Sequence, residues 1–343
     1  MTEPRLLTVI LNYRTADMTL RSVEAALKAM EGIEGEIIVV DNASGDGSFE
    51  KLLGQAMERG WTLNSRVRVL QSGRNGGFGA GNNFGILAGL SDDSPPDYIY
   101  VLNSDAFPAP DAIRNLLDYL QSHPEAGFAG SYIHGPEGDP HLTTFRFPSL
   151  ASEFEGAIRF GPISRALSNK RVPVEVPDRT MPVDWLAGAS LMMRREVLDE
   201  IGLFDEAFFL YFEETDICLR AQRAGFQTVF VRESDVTHIG SVSTGMKEWR
   251  RVPGYWFDSR LYYFAKNHGA FYAALATLSH LAGGVLHRLR QYLQGRPAAD
   301  PPHFLHTLLR HDLAALFKRR RHAAVPRLTD PLSRPDGSLI VSE

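Results

Sequence analysis

The sequence is nearly devoid of cysteine, since Cys218 is the only one among 343 residues. No disulfide can form within the chain, and no cysteine-rich zinc site can be built from it. Cys218 lies within a helical pattern, where the role of a small buried hydrophobic residue is expected rather than that of a nucleophile. The chemistry of this protein is therefore expected to depend on other side chains.

An excess of positive charge and a clear membrane-spanning run are also missing. The formal net charge of -5 argues against a nucleic-acid partner, which normally selects a basic protein. The short apolar run near the N-terminus does not fit a signal peptide, so we expect a cytoplasmic protein. Residues 269–286 approach spanning length but contain His280, which predicts amphipathic packing or an interfacial position instead. The basic cluster at residues 318–322 suits anionic lipid headgroups or is simply a solvated charge run.

What the sequence does contain is an alternation of short, β-branched apolar runs with helical patterns. This alternation predicts an α/β fold with a mainly parallel sheet that is covered by helices on both faces. The predicted strands are residues 6–11, 36–40, 67–71, 98–102 and 228–231. The predicted helices are residues 15–30, 49–59, 110–120, 194–200, 216–223, 256–264 and 270–293, with a glycine-rich loop at 73–85 that leads into a helix ending near residue 90.

The remaining segments suggest a division of the chain into unequal parts. Residues 131–184 show no clear period and are interpreted as an irregular insertion over the ligand crevice. We predict an α/β domain at residues 1–250 and a helical C-terminal extension at 251–325, which we expect to associate with a membrane or a partner. A proline-rich, flexible tail is predicted at 326–343.

Polar residues follow several of the predicted strands, and ligands of parallel sheets bind beyond the carboxyl ends of the strands. Asp41, the glycine-rich loop and the run Asn103-Ser104-Asp105 should therefore share one crevice. Asp105 could hold Mg²⁺ or Mn²⁺ together with substrate phosphates, with His238 as a second ligand. The alternatives are an Asx-type turn after Asp41, a helix cap at 103–105 and a purely structural histidine.

The stretch 208–223, FFLYFEETDICLRAQR, joins an aromatic run to three carboxylates at the start of a helix. Acids beside apolar walls are poorly solvated, so their pKa values rise toward a range useful for accepting protons. Alternatively, Glu213, Glu214 and Asp216 are only first-turn acids that complement the helix dipole. Asp216 lies four residues before Arg220, a spacing that predicts an ion pair.

Seven motifs together resemble those of family 2 glycosyltransferases, particularly the rhamnosyltransferase-like bacterial members. The resemblance covers residues 6–245, about seventy per cent of the chain. It implies a GT-A fold, a nucleotide-sugar donor and an inverting mechanism. The motifs are VILNYR, VVDNASGDGS, GRNGGFGAGNN, VLNSD, DWLAGASLMMRREV, FDEAFFLYFEETDICLR and the later His238.

Roles for individual residues follow from this resemblance. Glu214 matches the catalytic base, with glutamate in place of the usual aspartate and Glu213 beside it as the other candidate. Asp105 matches the last acid of the DxD metal motif, whose first acid is replaced here by Asn103, and His238 matches the histidine ligand of the metal. The positions implied to bind the donor are Asn12, Asp41, Arg74, Asn75, Asn82, Ser104 and Asp105. The positions implied to lie on the acceptor side are Asp184, Trp185 and Gly188.

The expected reaction is an inverting transfer from a nucleotide-diphosphate sugar, with deoxythymidine-diphosphate-rhamnose as the first choice of donor. The expected acceptor is a growing saccharide or a polyprenyl-linked one, and a divalent cation is the expected cofactor. Association with the inner membrane surface and a homodimer are further expectations about partners. The alternatives are a non-catalytic sugar-nucleotide or glycan-binding module and a nucleotidyltransferase, for which a basic phosphate-activating motif is lacking.

Overall fold

The computed structural model describes residues 3–240, 251–296, 301–315 and 324–330. The basic cluster at 318–322, the domain boundary predicted at residue 250 and most of the predicted tail lie outside the described residues. The strands are β1 Leu6–Asn12, β2 Gly35–Asp41, β3 Val67–Gln71, β4 Tyr98–Asn103, β5 Ala106–Pro108, β6 Ala126–His134, β7 Thr144–Phe145, β8 Met181–Val183, β9 Trp185–Leu186, β10 Ser190–Arg194 and β11 Gln227–His238. The helices are α1 Ala16–Ala29, α2 Ser48–Glu58, α3 Phe78–Ala88, α4 Ala112–Ser122, α5 Leu150–Ile158, α6 Gly161–Ala166, α7 Arg195–Ile201, α8 Glu213–Arg223, α9 Gly254–His268, α10 Ala270–Leu293 and α11 Phe304–Ala315.

One nine-stranded sheet organises the protein, in the order β3-β2-β1-β4-β10-β6-β11-β5, with β8 paired to β11. The strands β3, β2, β1 and β4 are parallel, and β10 is inserted antiparallel between β4 and β6. The chain order reverses between β1 and β4, so the carboxyl ends of these strands form the crevice where ligands of such sheets bind. The α/β prediction, with a mostly parallel sheet, is confirmed.

Helices cover both faces of the sheet because successive residues of each buried strand point to opposite sides. Leu6, Ile10 and Ile37 pack with α1 and α4 on one face. Leu7 and Val9 pack with α3, α7 and α8 on the other. Two-sided burial explains why these strands read as continuous apolar runs rather than as alternating ones.

The segment 131–184 is more ordered than its weak sequence pattern predicted, and this prediction is wrong over much of its length. Strand β6 continues to His134, and α5 begins with a capping box between Ser149 and Ser152. Helix α5 packs closely on α10, since a Cβ at Gly283 would lie 2.6 Å from the carbonyl oxygen of Phe154. The order of this segment thus depends on a distant helix, which no local pattern reports.

The C-terminal helices form a third apolar cluster, which joins α8 to α9 and α10 through Phe208, Leu219, Tyr263 and Ala276. A buried ion-pair group supports it, in which Arg260 contacts Glu153 of α5 at 2.7 Å and Asp312 of α11 at 3.5 Å. No helix among the described residues combines the length and apolar character needed to cross a membrane.

Candidate functional site

The ends of β1 and β2 are joined by a buried hydrogen-bond network around Asp41. Its carboxylate accepts from Asn12 Nδ2 at 2.7 Å, from Ser44 Oγ at 2.5 Å and from the Ser44 amide at 3.1 Å. A carboxylate has about four acceptor positions, so most of its capacity is used within the protein. Asp41 is also fully buried, so a direct ligand contact requires the local chain to open. The donor role of Asp41 and Asn12 stays a prediction.

The loop in the glycine-rich segment is shorter than the one predicted at 73–85, because α3 already begins at Phe78. The loop prediction for residues 78–85 is therefore wrong. Its glycines allow α3 to lie against the sheet: a Cβ would be 2.4 Å from Leu11 Cδ1 at Gly81 and 2.6 Å from Val9 Cγ1 at Gly85. Close packing of helix on strand thus accounts for glycines that the sequence pattern assigned to ligand approach.

The three donor-side residues of this segment are placed differently from one another. Asn75 Oδ1 accepts from Asn42 Nδ2 at 3.1 Å and so fixes the loop to the end of β2. Asn82 is buried, and its Oδ1 has no hydrogen-bond partner. The Arg74 side chain is 72% exposed and pairs with Glu206 at 3.0 Å. Their contacts to a donor stay predictions.

Asp105 and His238 meet because β5 pairs antiparallel with the end of β11, which sets His238 opposite Ala106. His238 Nε2 lies 3.0 Å from Asp105 Oδ1 and 3.4 Å from Asn103 Nδ2. Burial acts to raise the pKa of Asp105, but the adjacent His238 and the Gly240 amide outweigh it and hold this pKa below its usual value. Ser104 Oγ lies 3.2 Å from Thr15 Oγ1, at the same edge of the sheet.

This carboxylate–imidazole pair fits a divalent cation whose remaining ligands come from a substrate. In the described part of the chain, no group of three or more His, Cys, Asp or Glu side chains is arranged to hold a metal. Mg²⁺ and Mn²⁺ sites of nucleotide enzymes commonly use one or two protein ligands plus phosphate oxygens. Asp105 and His238 can therefore contribute to such a site without enclosing it.

The acid pair opens α8, directly after Tyr211 and Phe212, whose φ angles are 69° and 71°. Glu213 is buried, and neither carboxylate oxygen has a hydrogen-bond partner. Burial, followed by the neighbouring charge of Glu214, raises the pKa of Glu213 well above its usual value of 4.5. An acid without partners in such a place is most stable when neutral.

Glu214 differs from its neighbour because it is partly exposed and faces Gly188. Its Oε1 accepts from the Gly188 amide at 3.3 Å, and a Cβ at Gly188 would lie 3.0 Å from Glu214 Oε1 and Cγ. Burial raises the pKa of Glu214 above 4.5 as well. Of the two acids, Glu214 has the geometry of a group that a second substrate can reach.

The other two residues predicted on the acceptor side hold the chain around residue 146. Asp184 accepts from the Phe147 amide at 2.8 Å. Trp185 stacks on Phe145 with ring centroids 4.1 Å apart and donates from Nε1 to the Arg146 carbonyl at 3.0 Å. Among the three acceptor-side predictions, Gly188 contacts the acid pair through its amide, which donates to Glu214 Oε1.

Sequence reasoning missed two groups beside the site. His141 lies edge-on to His238 with ring centroids 6.0 Å apart, and no local motif marked it. Ser259 and Lys266 of α9 contact residues 205–216, around the start of α8. The aromatic-rich pattern that predicts a helix at 256–264 gives no sign of these polar contacts. The predicted ion pair between Asp216 and Arg220 is confirmed at 2.9 Å.

Comparisons with known proteins agree on the family. The model of glycosyl transferase family 2 matches residues 8–202. N-acetylglucosaminyl-diphospho-decaprenol L-rhamnosyltransferase of Mycobacterium tuberculosis is 30% identical over an alignment of 268 positions, which covers 71% of this chain and 82% of the relative. Rhamnosyltransferase WbbL of Escherichia coli is 26% identical over 164 residues, 47% of this chain and 60% of the relative.

Solved structures support the fold. The mannosyltransferase of Pyrobaculum calidifontis, solved with GDP-mannose and Mn²⁺, superposes with a TM-score of 0.53 at 14% identity and covers 93% of this chain and 82% of that one. The interpretation as a non-catalytic binding module is set aside, because the matching family and the related rhamnosyltransferases support a glycosyltransferase. The chain belongs to glycosyl transferase family 2, has a GT-A fold and is a glycosyltransferase.

Proposed function

We propose that this glycosyltransferase transfers rhamnose, with inversion, from deoxythymidine-diphosphate-rhamnose to a lipid-linked saccharide during cell-surface polysaccharide synthesis. The site assignment rests on one observation: Glu214, at the start of α8, is partly exposed, and its carboxylate faces the Gly188 amide. The substrate classes rest on relatives that are named as rhamnosyltransferases, one of which is named for a decaprenol-linked acceptor.

In the proposed reaction, an acceptor hydroxyl attacks the anomeric carbon of the donor sugar. Glu214 takes the hydroxyl proton as the new C–O bond forms and the bond to the nucleotide diphosphate breaks. General-base assistance of this kind contributes about 10²–10⁴-fold to the rate. Attack on the face opposite the leaving group inverts the configuration, and no covalent sugar–enzyme intermediate is required.

The leaving diphosphate is assigned to the crevice at the ends of β1 and β4. Asp105 and His238 would hold a divalent cation, which when bound supplies neutralisation of the negative charge on the leaving group. Asn103 Nδ2 lies 3.4 Å from the same nitrogen, His238 Nε2, that faces Asp105. Mg²⁺ and Mn²⁺ are both compatible with this pair of ligands.

Substitution of the base tests the proposal. Glu214→Gln keeps the size of the side chain but cannot accept the proton, so transfer should fall about 10²–10⁴-fold with little change in donor affinity. Transfer is measured with labelled deoxythymidine-diphosphate-rhamnose and a prenyl-diphosphate-linked N-acetylglucosamine acceptor. Glu58→Gln, on the exposed end of α2, serves as a control that should retain transfer. Near-normal transfer by Glu214→Gln contradicts the assignment.

The pH dependence offers a second readout of the same group. Because burial raises the pKa of Glu214 above 4.5, the base becomes active only as the pH passes that raised value. The acidic limb of kcat/KM should therefore lie clearly above pH 4.5. A limb at or below the usual carboxyl range contradicts a role for Glu214 as the base in this environment.

A lipid-linked acceptor also requires access to a membrane surface, and α10 is the part of the chain suited to it. Every exposed position of this helix carries an alanine, an aliphatic residue or an aromatic residue. The large exposed side chains of this helix are Phe271, Leu278, Val285, Leu286, Leu289, Tyr292 and Leu293. Residues 270–296 contain three arginines and no acid, whereas the whole chain has a net charge of -5. An apolar stripe with basic flanks fits the interface of an anionic bilayer, here the cytoplasmic face.

The membrane contact is tested by co-sedimentation with phosphatidylglycerol vesicles. Introducing Leu278→Glu and Leu289→Glu together should reduce vesicle binding at least about tenfold, because charge replaces apolar area. Leu63→Glu, at a residue that is 70% exposed far from α10 in sequence, should leave binding unchanged. Unchanged binding of the α10 variant contradicts the membrane proposal, and loss of a concentration-dependent dimer without any vesicle binding would favour the homodimer instead.

A further inference from the structure

The turn that leads into α8 is held in a conformation that its residues do not favour. Tyr211 and Phe212 are consecutive and both adopt left-handed φ angles, of 69° and 71°, where a Cβ crowds the backbone. Helix α8 has no side-chain cap at Phe212 to fix this turn from within. Such strained residues persist only where the surrounding structure holds them.

Helix α9 supplies one of the restraints. Ser259 Oγ, buried in the helix packing, donates to the Leu210 carbonyl at 3.0 Å, one residue before the strained pair. The ring of Tyr263 lies 5.5 Å from that of Phe212 and packs against it. One face of α9 therefore fixes both the backbone and the side chain of this turn.

A second restraint joins the two ends of the same segment. Lys266 Nζ lies 2.7 Å from Asp205 Oδ2 and 2.7 Å from Asp216 Oδ2. Both carboxylates are buried, and the acid pair lies between them in sequence. Burial acts to raise the pKa of Asp216, but Arg220 and Lys266 outweigh it and hold this pKa below its usual value. Lys266 thus links Asp205 to Asp216 and fixes both ends of the segment 205–216.

We propose that α9, through Ser259 and Lys266, positions the general base Glu214 by fixing the strained turn and the first turn of α8. Neither residue is catalytic, because each acts on the segment that carries Glu214 and not on a substrate. The inference rests on the proposed role of Glu214. Helix α9, which follows the predicted 1–250 domain in sequence, thereby contributes to the geometry of the active site.

Removing one restraint should misplace the base without removing it. Ser259→Ala is expected to lower kcat about 10- to 100-fold, as misplacements near 1 Å do, while the KM for the donor changes less than about twofold. Ser234→Ala removes a buried serine hydroxyl of β11, outside α9 and residues 205–216, that donates to the Ala112 carbonyl at 2.8 Å and so matches the Ser259 contact in kind. This control should keep kcat within about twofold at a matched melting temperature.

A second variant covers the case in which Ser259→Ala does not fold. Lys266→Arg keeps the positive charge but replaces one compact ammonium by a planar fork, so it changes the geometry between Asp205 and Asp216. We expect it to lower kcat at least about fivefold, with the folded fraction unchanged by circular dichroism. Full kcat in a folded Lys266→Arg enzyme, or in a folded Ser259→Ala enzyme, overturns the proposal.

The double variant shows whether the effect passes through Glu214. In a Glu214→Gln background the base is already lost, so Ser259→Ala should lower kcat by less than about twofold. An equal loss in both backgrounds would contradict positioning of Glu214 but would leave the proposed function intact. Near-normal transfer by Glu214→Gln alone would contradict the proposed function itself.

Discussion

Two buried carboxylates on the two sides of the site are held in opposite ways. Asp41, at the end of β2, accepts three hydrogen bonds from Asn12 and Ser44. Glu213, at the start of α8, accepts none through either oxygen. The acid on the donor side is thus satisfied by polar neighbours, whereas the side that carries the base combines an acid without a hydrogen-bond partner with a left-handed turn.

The two sides of the site differ in what makes them rigid. A satisfied network holds its members through local bonds, and these bonds form within the strand ends themselves. A strained turn is costly by itself and must be held by packing from elsewhere. Helix α9 provides that packing, through Ser259 and Lys266. One side of the site is therefore held by local hydrogen bonds, and the other by the packing of a helix that is distant in sequence.

The largest expected effect concerns Asp105, which in the proposed mechanism would hold the cation that neutralises charge on the leaving diphosphate. Asp105→Ala should reduce metal-dependent transfer at least about 100-fold, since such neutralisation lowers the barrier by several kcal/mol. Asp235→Ala breaks a similar pair, with His134 Nε2 2.9 Å from Asp235 Oδ1, and should retain transfer. Transfer is measured against added Mn²⁺. Equal losses in the two variants would show that fold disruption and not the site explains the effect.

The second prediction tests the satisfied network. Asp41→Ala leaves Asn12 and Ser44 without their acceptor in a buried place, and should lower the free energy of unfolding by about 2–4 kcal/mol. Urea unfolding followed by circular dichroism measures the loss. Asp46→Ala, at an exposed carboxylate of the same turn, should cost clearly less. An equal loss of unfolding free energy in Asp41→Ala and Asp46→Ala would contradict the stabilising role of the burial and hydrogen bonds of Asp41.

The third prediction tests the unpartnered acid. The raised pKa of Glu213 means that the folded chain keeps a proton that the unfolded chain releases above about pH 4.5, its usual pKa. The stability of the wild type therefore falls as the pH rises above that value, by up to about 1.4 kcal/mol per pH unit from this group. Glu213→Met removes this term, so the variant should gain stability relative to the wild type between pH 5 and 8.

Urea unfolding at several pH values measures the third prediction. Met is apolar and of similar length, so it should fill the place without a buried charge. Glu58→Met, at an exposed site, is the matched control and should show no such pH dependence. A difference between Glu213→Met and the wild type that stays constant with pH would contradict a neutral Glu213.

The smallest effect is expected at the rim of the crevice. Arg74 is 72% exposed, and its pair with Glu206 is a surface pair, so Arg74→Ala should lower the free energy of unfolding by less than about 1 kcal/mol. Arg68→Ala, which removes a partly buried pair with Glu36, should cost more. Thermal unfolding of the two variants decides the order. A larger loss of stability for Arg74→Ala than for Arg68→Ala would contradict the smaller contribution expected of the exposed ion pair.

Several features were predictable because they are local in sequence. The strands β1 to β4 appear within a residue or two of the predicted ranges, since a β-branched apolar run is needed wherever both faces of a strand are buried. Helix α5 was missed because its capping box uses Ser152 rather than the more familiar glutamate, and because its apolar face meets α10. The glycines of α3 were misassigned because the same residue serves a loop and a tight helix–sheet contact.

The sequence by itself determined the order of the elements, the acids at the start of α8 and the polar residues at the strand ends. Only the tertiary structure decided that His238 lies 3.0 Å from Asp105, 133 residues away, and that Glu214 and not Glu213 faces Gly188. It also placed α9 over the turn at Tyr211 and Phe212. The physical reason is that periodicity reports which face of an element is buried, whereas distances between elements follow from strand pairing and helix packing across the whole chain.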